Sequence, residues 1–247
     1  MKALHTPALA LALAQFSTLK STDCATGGLA KASKMPGASW SISAKRCAIG
    51  RMLAQNPESP CFYCYALKGR YVFPVVQAAL ERRFAAWRDS SDTWERGMIA
   101  AIHHLARSHA RKHSTPYAFR WFDSGDLQSV EMLQAICRIA EALPAVRFWL
   151  PTQERSTLQE FQGAGGRIPQ NLTIRISSAR LDKPSPSRRW KRGHGEGWIA
   201  SSMVATNPAA LPADASLCPA PEQGNRCGDC RRCWDGAGHP LIAYRAH

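Results

Sequence analysis

The sequence predicts an α/β fold, either a partial (β/α) barrel or an open parallel sheet, with a cysteine-rich C-terminal appendage. Three observations lead there. From residue 117 onward, short β-branched and aromatic runs alternate with segments of helical period, the pattern of parallel strands joined by crossovers. The candidate strands fall short of the eight that a closed barrel needs. Beyond residue 205, regular periodicity gives way to prolines, glycines and four cysteines, Cys218, Cys227, Cys230 and Cys233.

Taken in order, residues 1–34 read as an N-terminal extension that is loosely ordered or a short helix. The apolar run Ala8–Ala14 follows His5 and Pro7 and lacks a small-residue cleavage site, so it does not read as a secretory signal. Trp40–Ala44 is a short candidate strand. Pro74 opens a helix with Val76, Leu80, Phe84 and Trp87 on one face. A second helix runs from Asp92 to His113 with Trp94, Met98, Ile102 and Leu105 inward; its His103, His104, His109 and His113 are interleaved with arginines and read as a solvated basic face. Strands follow at Tyr117–Phe122, Val146–Leu150, Leu172–Ser177 and Trp198–Val204, with helices at Leu127–Leu143 and Ser156–Gln162 and a last short strand at Leu241–Tyr244. This divides the chain into the 1–34 extension, a 35–205 α/β core and a 206–247 cysteine-rich tail packed on the core.

The 247 residues are 45% hydrophobic, enough for a full-sized core. No apolar run reaches the length of a membrane span. A formal charge of +14 favours polyanionic partners. The basic loop 180–192, with Trp190 and Trp198 close by, is the stretch best composed to meet nucleic acid.

Nine cysteines, an odd number, fit a disulfide framework poorly, and seven fall in two groups. In a reducing, cytoplasmic compartment such groups read as metal sites. Cys61-Phe62-Tyr63-Cys64 forms a C-x-x-C turn, and Cys47, with thirteen residues intervening, could fold back as a third thiolate. Three thiolates leave one position open, on zinc or on one iron of a [4Fe-4S] cluster. The tail array Cys218-x8-Cys227-x2-Cys230-x2-Cys233 could close a zinc site or hold a further iron–sulfur cluster, and its uniform x2 spacing leans to iron–sulfur. Cys137 reads as a buried inert thiol and Cys24 as a spare one.

Ligands of parallel α/β sheets bind at the carboxyl ends of strands. Here those ends read Phe122-Asp123-Ser124-Gly125-Asp126, Thr152-Gln153-Glu154 and Ser177-Ser178. Arg120 and Arg175 fall on the polar alternation of their strands; buried there, each would need a carboxylate or an anionic ligand, with Asp123, Asp126 and Glu154 nearest. Asp126 also reads as the N-cap of the helix expected from Leu127.

Cys61, Tyr63, Cys64 and the following Tyr65-Ala66 resemble the second half of the motif of radical S-adenosylmethionine (SAM) enzymes, whose cysteines hold a [4Fe-4S] cluster. The first cysteine departs from that pattern in its spacing. The resemblance implies that SAM would bind the open iron, with Tyr63, Ser124, Gly125, Asp126, Arg120 and Arg175 orienting SAM or substrate. A second resemblance spans Lys34 to Trp234. Trp40-Ser41-Ile42, Cys61–Lys68, Phe122–Asp126 and Cys227–Trp234 are similar to the phage and plasmid gene product 88 proteins. It implies a cysteine-dependent architecture of mobile-element origin. The functions expected are therefore a radical-SAM-like iron–sulfur protein or, alternatively, a non-enzymatic zinc protein that binds nucleic acid.

Overall fold

The computed structural model describes residues 6–185 and 197–246. Helices are α1 Pro7–Gln15, α2 Asp23–Thr26, α3 Ile49–Leu53, α4 Pro74–Asp89, α5 Ser91–Ala110, α6 Val130–Ala142 and α7 Arg155–Gly163. Strands are β1 Ser39–Trp40, β2 Tyr117–Trp121, β3 Val146–Thr152, β4 Leu172–Ser177, β5 Trp198–Ala205, β6 Ala215–Leu217 and β7 Leu241–Arg245. They form one open sheet in the order β1-β2-β3-β4-β5-β7-β6, with every neighbouring pair parallel. Of the two architectures expected, the open parallel sheet is the one that forms.

From β1 to β5 the chain always steps to the next strand in the same direction. Right-handed crossovers then put their helices on one face. The side-chain alternation agrees, because successive strand residues face opposite ways. Phe119 and Trp121 of β2, Phe148 and Leu150 of β3, and Ile174 and Ile176 of β4 join α5 and α6 in a single core. At its centre the Trp40 ring meets Trp94 edge-on at 5.0 Å and Trp121 at 6.2 Å. Such pairs contribute about 0.5–1.5 kcal/mol each beyond the area they bury.

The step from β6 back to β7 runs the other way, so its right-handed crossover must pass over the opposite face. That crossover is the cysteine-rich segment. Cys233 and Trp234 accordingly pack on Ala118 and Trp149, and the Trp234 indole donates to Phe119 O at 2.7 Å. Topology alone delivers the tail cysteines to the face that the helices leave bare.

The 1–34 stretch carries a short helix, one of the two forms expected for it, and that helix packs into the core: Leu9, Ala12 and Phe16 lie in the main core, and Thr6, which caps α1 by accepting from Leu9 N, donates to Ala142 O. Helix α6 starts at Val130, not Leu127, and Ser129 caps it by accepting from Met132 N at 3.3 Å. Asp126 is therefore not the cap. Strand β6, which carries only three half-buried residues, was not expected. Among the described residues no helix is long and apolar enough to cross a membrane. The basic loop 180–192 lies, from residue 186 on, outside the described residues.

Candidate functional site

The site is built on the loop that leaves β2. Phe122 has φ 52, a left-handed conformation that is costly for a bulky residue, and Gly125 has φ 78. A Cβ at Gly125 would lie 2.4 Å from Ile42 Cγ1 and 2.7 Å from Ile42 O, so only glycine fits against the segment after β1. Bonds to the segment after β1 hold the loop: Asp123 N donates to Ser41 Oγ at 3.0 Å, and Ser124 Oγ to Ile42 O at 2.9 Å. The Asp123 carboxylate accepts from Ser39 Oγ at 3.1 Å and Tyr71 OH at 2.9 Å, and its carbonyl accepts from Tyr65 OH. Asp123 thus ties the stretch after Cys64 to the strand ends.

Cys47, Cys61 and Cys64 come together beside this loop. The point to which a Cβ would project from Gly50 is 3.7 Å from Cys47 Sγ and 3.8 Å from Cys61 Sγ. Cys64 N donates to Cys61 O, closing the C-x-x-C turn. Burial pushes the Cys47 thiol far up, and Asp126, Cys64, Cys61 and Glu154 push it further. Burial, followed by Cys64, raises Cys61 to about 11.

The carboxylates come from the ends of β2 and β3. Asp126 is 6% exposed and accepts from Leu127 N at 2.8 Å, Thr152 Oγ1 at 2.6 Å and Gln153 N at 2.8 Å. Burial outweighs these bonds and raises its carboxyl to about 7. Glu154 accepts from Ile49 N at 3.0 Å, which pins α3 and hence Cys47 to the end of β3. Gln153 is 7% exposed; its amide donates to Ser178 O at 2.9 Å and lies 3.9 Å from Cys61 Sγ, while its Oε1 has no partner among the described residues. Three thiols and two buried carboxyls thus share one corner. Ionising them together is unfavourable unless a cation compensates. Thr152-Gln153-Glu154 was legible as a strand end, but nothing in the sequence marked Gln153 as the residue against Cys61.

The tail group is organised by backbone bonds. Cys218 N donates to Ala243 O, Cys227 N to Lys34 O and Cys230 N to Cys227 O. The chain reverses through Gly224, Asn225 and Gly228, all with positive φ. Cys233 Sγ lies 3.3 Å from Tyr244 OH, and burial raises its thiol to about 11. Burial also raises Cys218, with Cys230 adding to it, and raises Cys227, with Cys218 and Cys230 adding to it.

The two arginines have distinct positions. Arg175 is wholly buried and donates to the carbonyls of Cys233 (2.9 Å), Arg232 (2.8 Å), Asp235 (3.0 Å) and Ser201 (3.2 Å). Carbonyls take the place of the carboxylate expected there, and Arg175 clamps the tail to the sheet. Arg120 stacks over Trp149, its guanidinium carbon 4.4 Å from the ring centroid, and donates to Phe122 O at 3.3 Å. Burial works against its charge, but Tyr65, Asp123 and Tyr244 hold its pKa above the ordinary value. That charge also favours the thiolates of Cys227 and Cys233, so Arg120 bears on the tail group.

Of the residues the SAM resemblance implied, Ser124, Gly125, Asp126 and Arg175 are engaged in holding the fold, and Tyr63 is exposed beside Cys64. Cys137 is buried, as expected, and Cys24 exposed. Among the described residues no group of three or more His, Cys, Asp or Glu side chains is arranged to hold a metal ion.

Comparison with known proteins returns no curated protein and no solved structure that matches. The radical SAM resemblance has no counterpart among the matches. The profile described as Gene product 88 matches residues 10–236, taking in most of α1, the sheet through β6 and all seven clustered cysteines. The chain belongs to the Gene product 88 family.

Proposed function

We propose that this chain is a metal-binding protein in which Cys47, Cys61 and Cys64 hold an iron–sulfur cluster through three thiolates and leave one iron open to a small ligand. The observation that carries the reading is the convergence of Cys47 and Cys61 sulfurs on one point beside Gly50. Cys64, Asp126 and Glu154 lie within electrostatic reach of it. The unpartnered Gln153 Oε1 adds a buried acceptor at the same corner. A polynuclear cluster takes thiolates that stand farther apart than the ligands of a single ion, which is compatible with thiols gathered but not closed around one point. When bound, such a cluster supplies one-electron transfer and a Lewis-acidic iron.

The chain's own residues prepare that corner. Asp126 and Glu154 fix the ends of β2 and β3 against α3, and Gln153 offers its amide to Cys61. Arg120 keeps a positive charge beside the tail thiols Cys227 and Cys233. In the tail, Cys218, Cys227, Cys230 and Cys233 would hold a second centre, an iron–sulfur cluster or zinc.

The test is metal analysis and visible spectroscopy of protein purified without oxygen, with Cys61→Ser/Cys64→Ser and Cys227→Ser/Cys230→Ser as separate variants. The reading expects visible charge-transfer absorbance that bleaches on reduction and is diminished in the first variant. Colourless protein whose only metal is zinc, lost from the second variant alone, would overturn it.

A further inference from the structure

The apolar surface of this molecule is unevenly placed. Among the described residues, nine large hydrophobic side chains stand exposed, and eight of them fall between Met52 and Val75. Concentration of that kind marks an interaction surface, whereas scattered exposed residues need no explanation. Phe62 (44%), Tyr63 (49%) and Phe73 (53%) are half-exposed rings, and Phe62 and Tyr63 meet edge-to-face at 4.9 Å.

The segment is not a loose coil. Backbone bonds close successive turns, Phe62 N to Ser59 O, Cys64 N to Cys61 O, Leu67 N to Cys64 O and Phe73 N to Arg70 O. Tyr65 and Tyr71 tie it to the strand ends through Asp123. The rings are therefore displayed by a preorganised surface, which lowers the entropic cost of binding. Exposed Arg51, Lys68 and Arg70 alternate with them along the chain, and the one acidic residue of the stretch, Glu58, faces Arg180 at 3.8 Å.

We infer that this surface binds single-stranded nucleic acid, with Phe62, Tyr63 and Phe73 stacking on bases and Arg51, Lys68 and Arg70 meeting phosphates. Alternating rings and cations are what a single strand, with its bases unstacked, can use; a duplex hides those base faces. Charge decides against a second copy of the chain, since two copies each carrying +14 repel. Phe62 and Tyr63 lie between Cys61 and Cys64, so iron content is read beside binding in every variant.

The test is fluorescence anisotropy of labelled mixed-sequence single strands and the matching duplex, titrated with the full chain across a salt series. The wild type is expected to favour the single strand. Phe62→Ala/Tyr63→Ala should weaken that binding about tenfold or more while keeping the salt slope. Lys68→Gln/Arg70→Gln should flatten the slope of log affinity against log salt by about 1.4. Circular dichroism and iron content check each variant; if the double aromatic variant fails to fold, Phe73→Ala carries the same expectation. Absence of binding at low salt, or wild-type affinity in the folded aromatic variants, overturns the inference. So does a concentration-dependent dimer in sedimentation that the aromatic variant abolishes, which would assign the surface to a second copy.

Discussion

Gly125 and Arg175 are single residues on which the site depends, for opposite reasons. Gly125→Ala places a methyl against Ile42 O and forces an L-residue to φ 78, so we expect a loss of about 2 kcal/mol or more in urea unfolding. Arg175→Met leaves four buried carbonyls without their donor and should cost about 3 kcal/mol or more. Arg175→Lys should recover part of this, because an ammonium lacks the planar fork. Asp126 makes stability depend on pH. Its carboxyl titrates near 7 in the fold and near 3.8 unfolded, so between those values the folded state holds the extra proton. Stability of the metal-free protein therefore falls as pH rises through that window, by about 4 kcal/mol at most. Asp126→Asn should flatten that limb whatever its absolute stability, and an unchanged slope in urea titrations would contradict the assignment. At this scale the sequence showed which residue types gather at strand ends, but not their partners. Arg175 looked like a residue awaiting an anion because backbone carbonyls from the tail leave no trace in the sequence.

Elements were legible to the extent that their cause is local. The β4 range Leu172–Ser177 and the Pro74 start of α4 follow from alternation and from proline at a first helical turn. Helix α6 shows where local reasoning stops. Asp126 and Ser129 are both good caps, and the choice between them is made by Thr152 and Gln153, which take the Asp126 carboxylate from another strand. Ser129→Ala should accordingly cost about 1 kcal/mol in chemical denaturation. No loss would mean that α6 is not capped there. Strand β6 was missed because three half-buried residues carry no alternation to read; its place is set by pairing with β7. The N-terminal helix was under-read for a related reason. Its buried face is small, Leu9 and Ala12, and becomes apolar surface worth burying only when α5 and α6 lie beneath it.

Over the whole molecule, one reversal of winding direction connects fold to function. Strands β1 to β5 advance one way and collect helices on one face; the return from β6 to β7 sends the tail cysteines across the other. The first cysteine group sits at the carboxyl ends of β2 and β3, where parallel sheets place ligands. The alternation of strands and helices made the sheet legible, and the spacing of cysteines made two groups legible. Strand order was not legible, and it decides that the tail group crosses the face opposite the helices. The account rests on Cys47 joining Cys61 and Cys64, a meeting that only the fold produces. Iron and acid-labile sulfide, counted per chain in protein purified without oxygen, test it when wild type is set beside Cys47→Ser. The account predicts iron and sulfide in equal amounts in the wild type and a matched loss of both in the variant. A variant that keeps the full wild-type complement, or a wild type without iron, would contradict it.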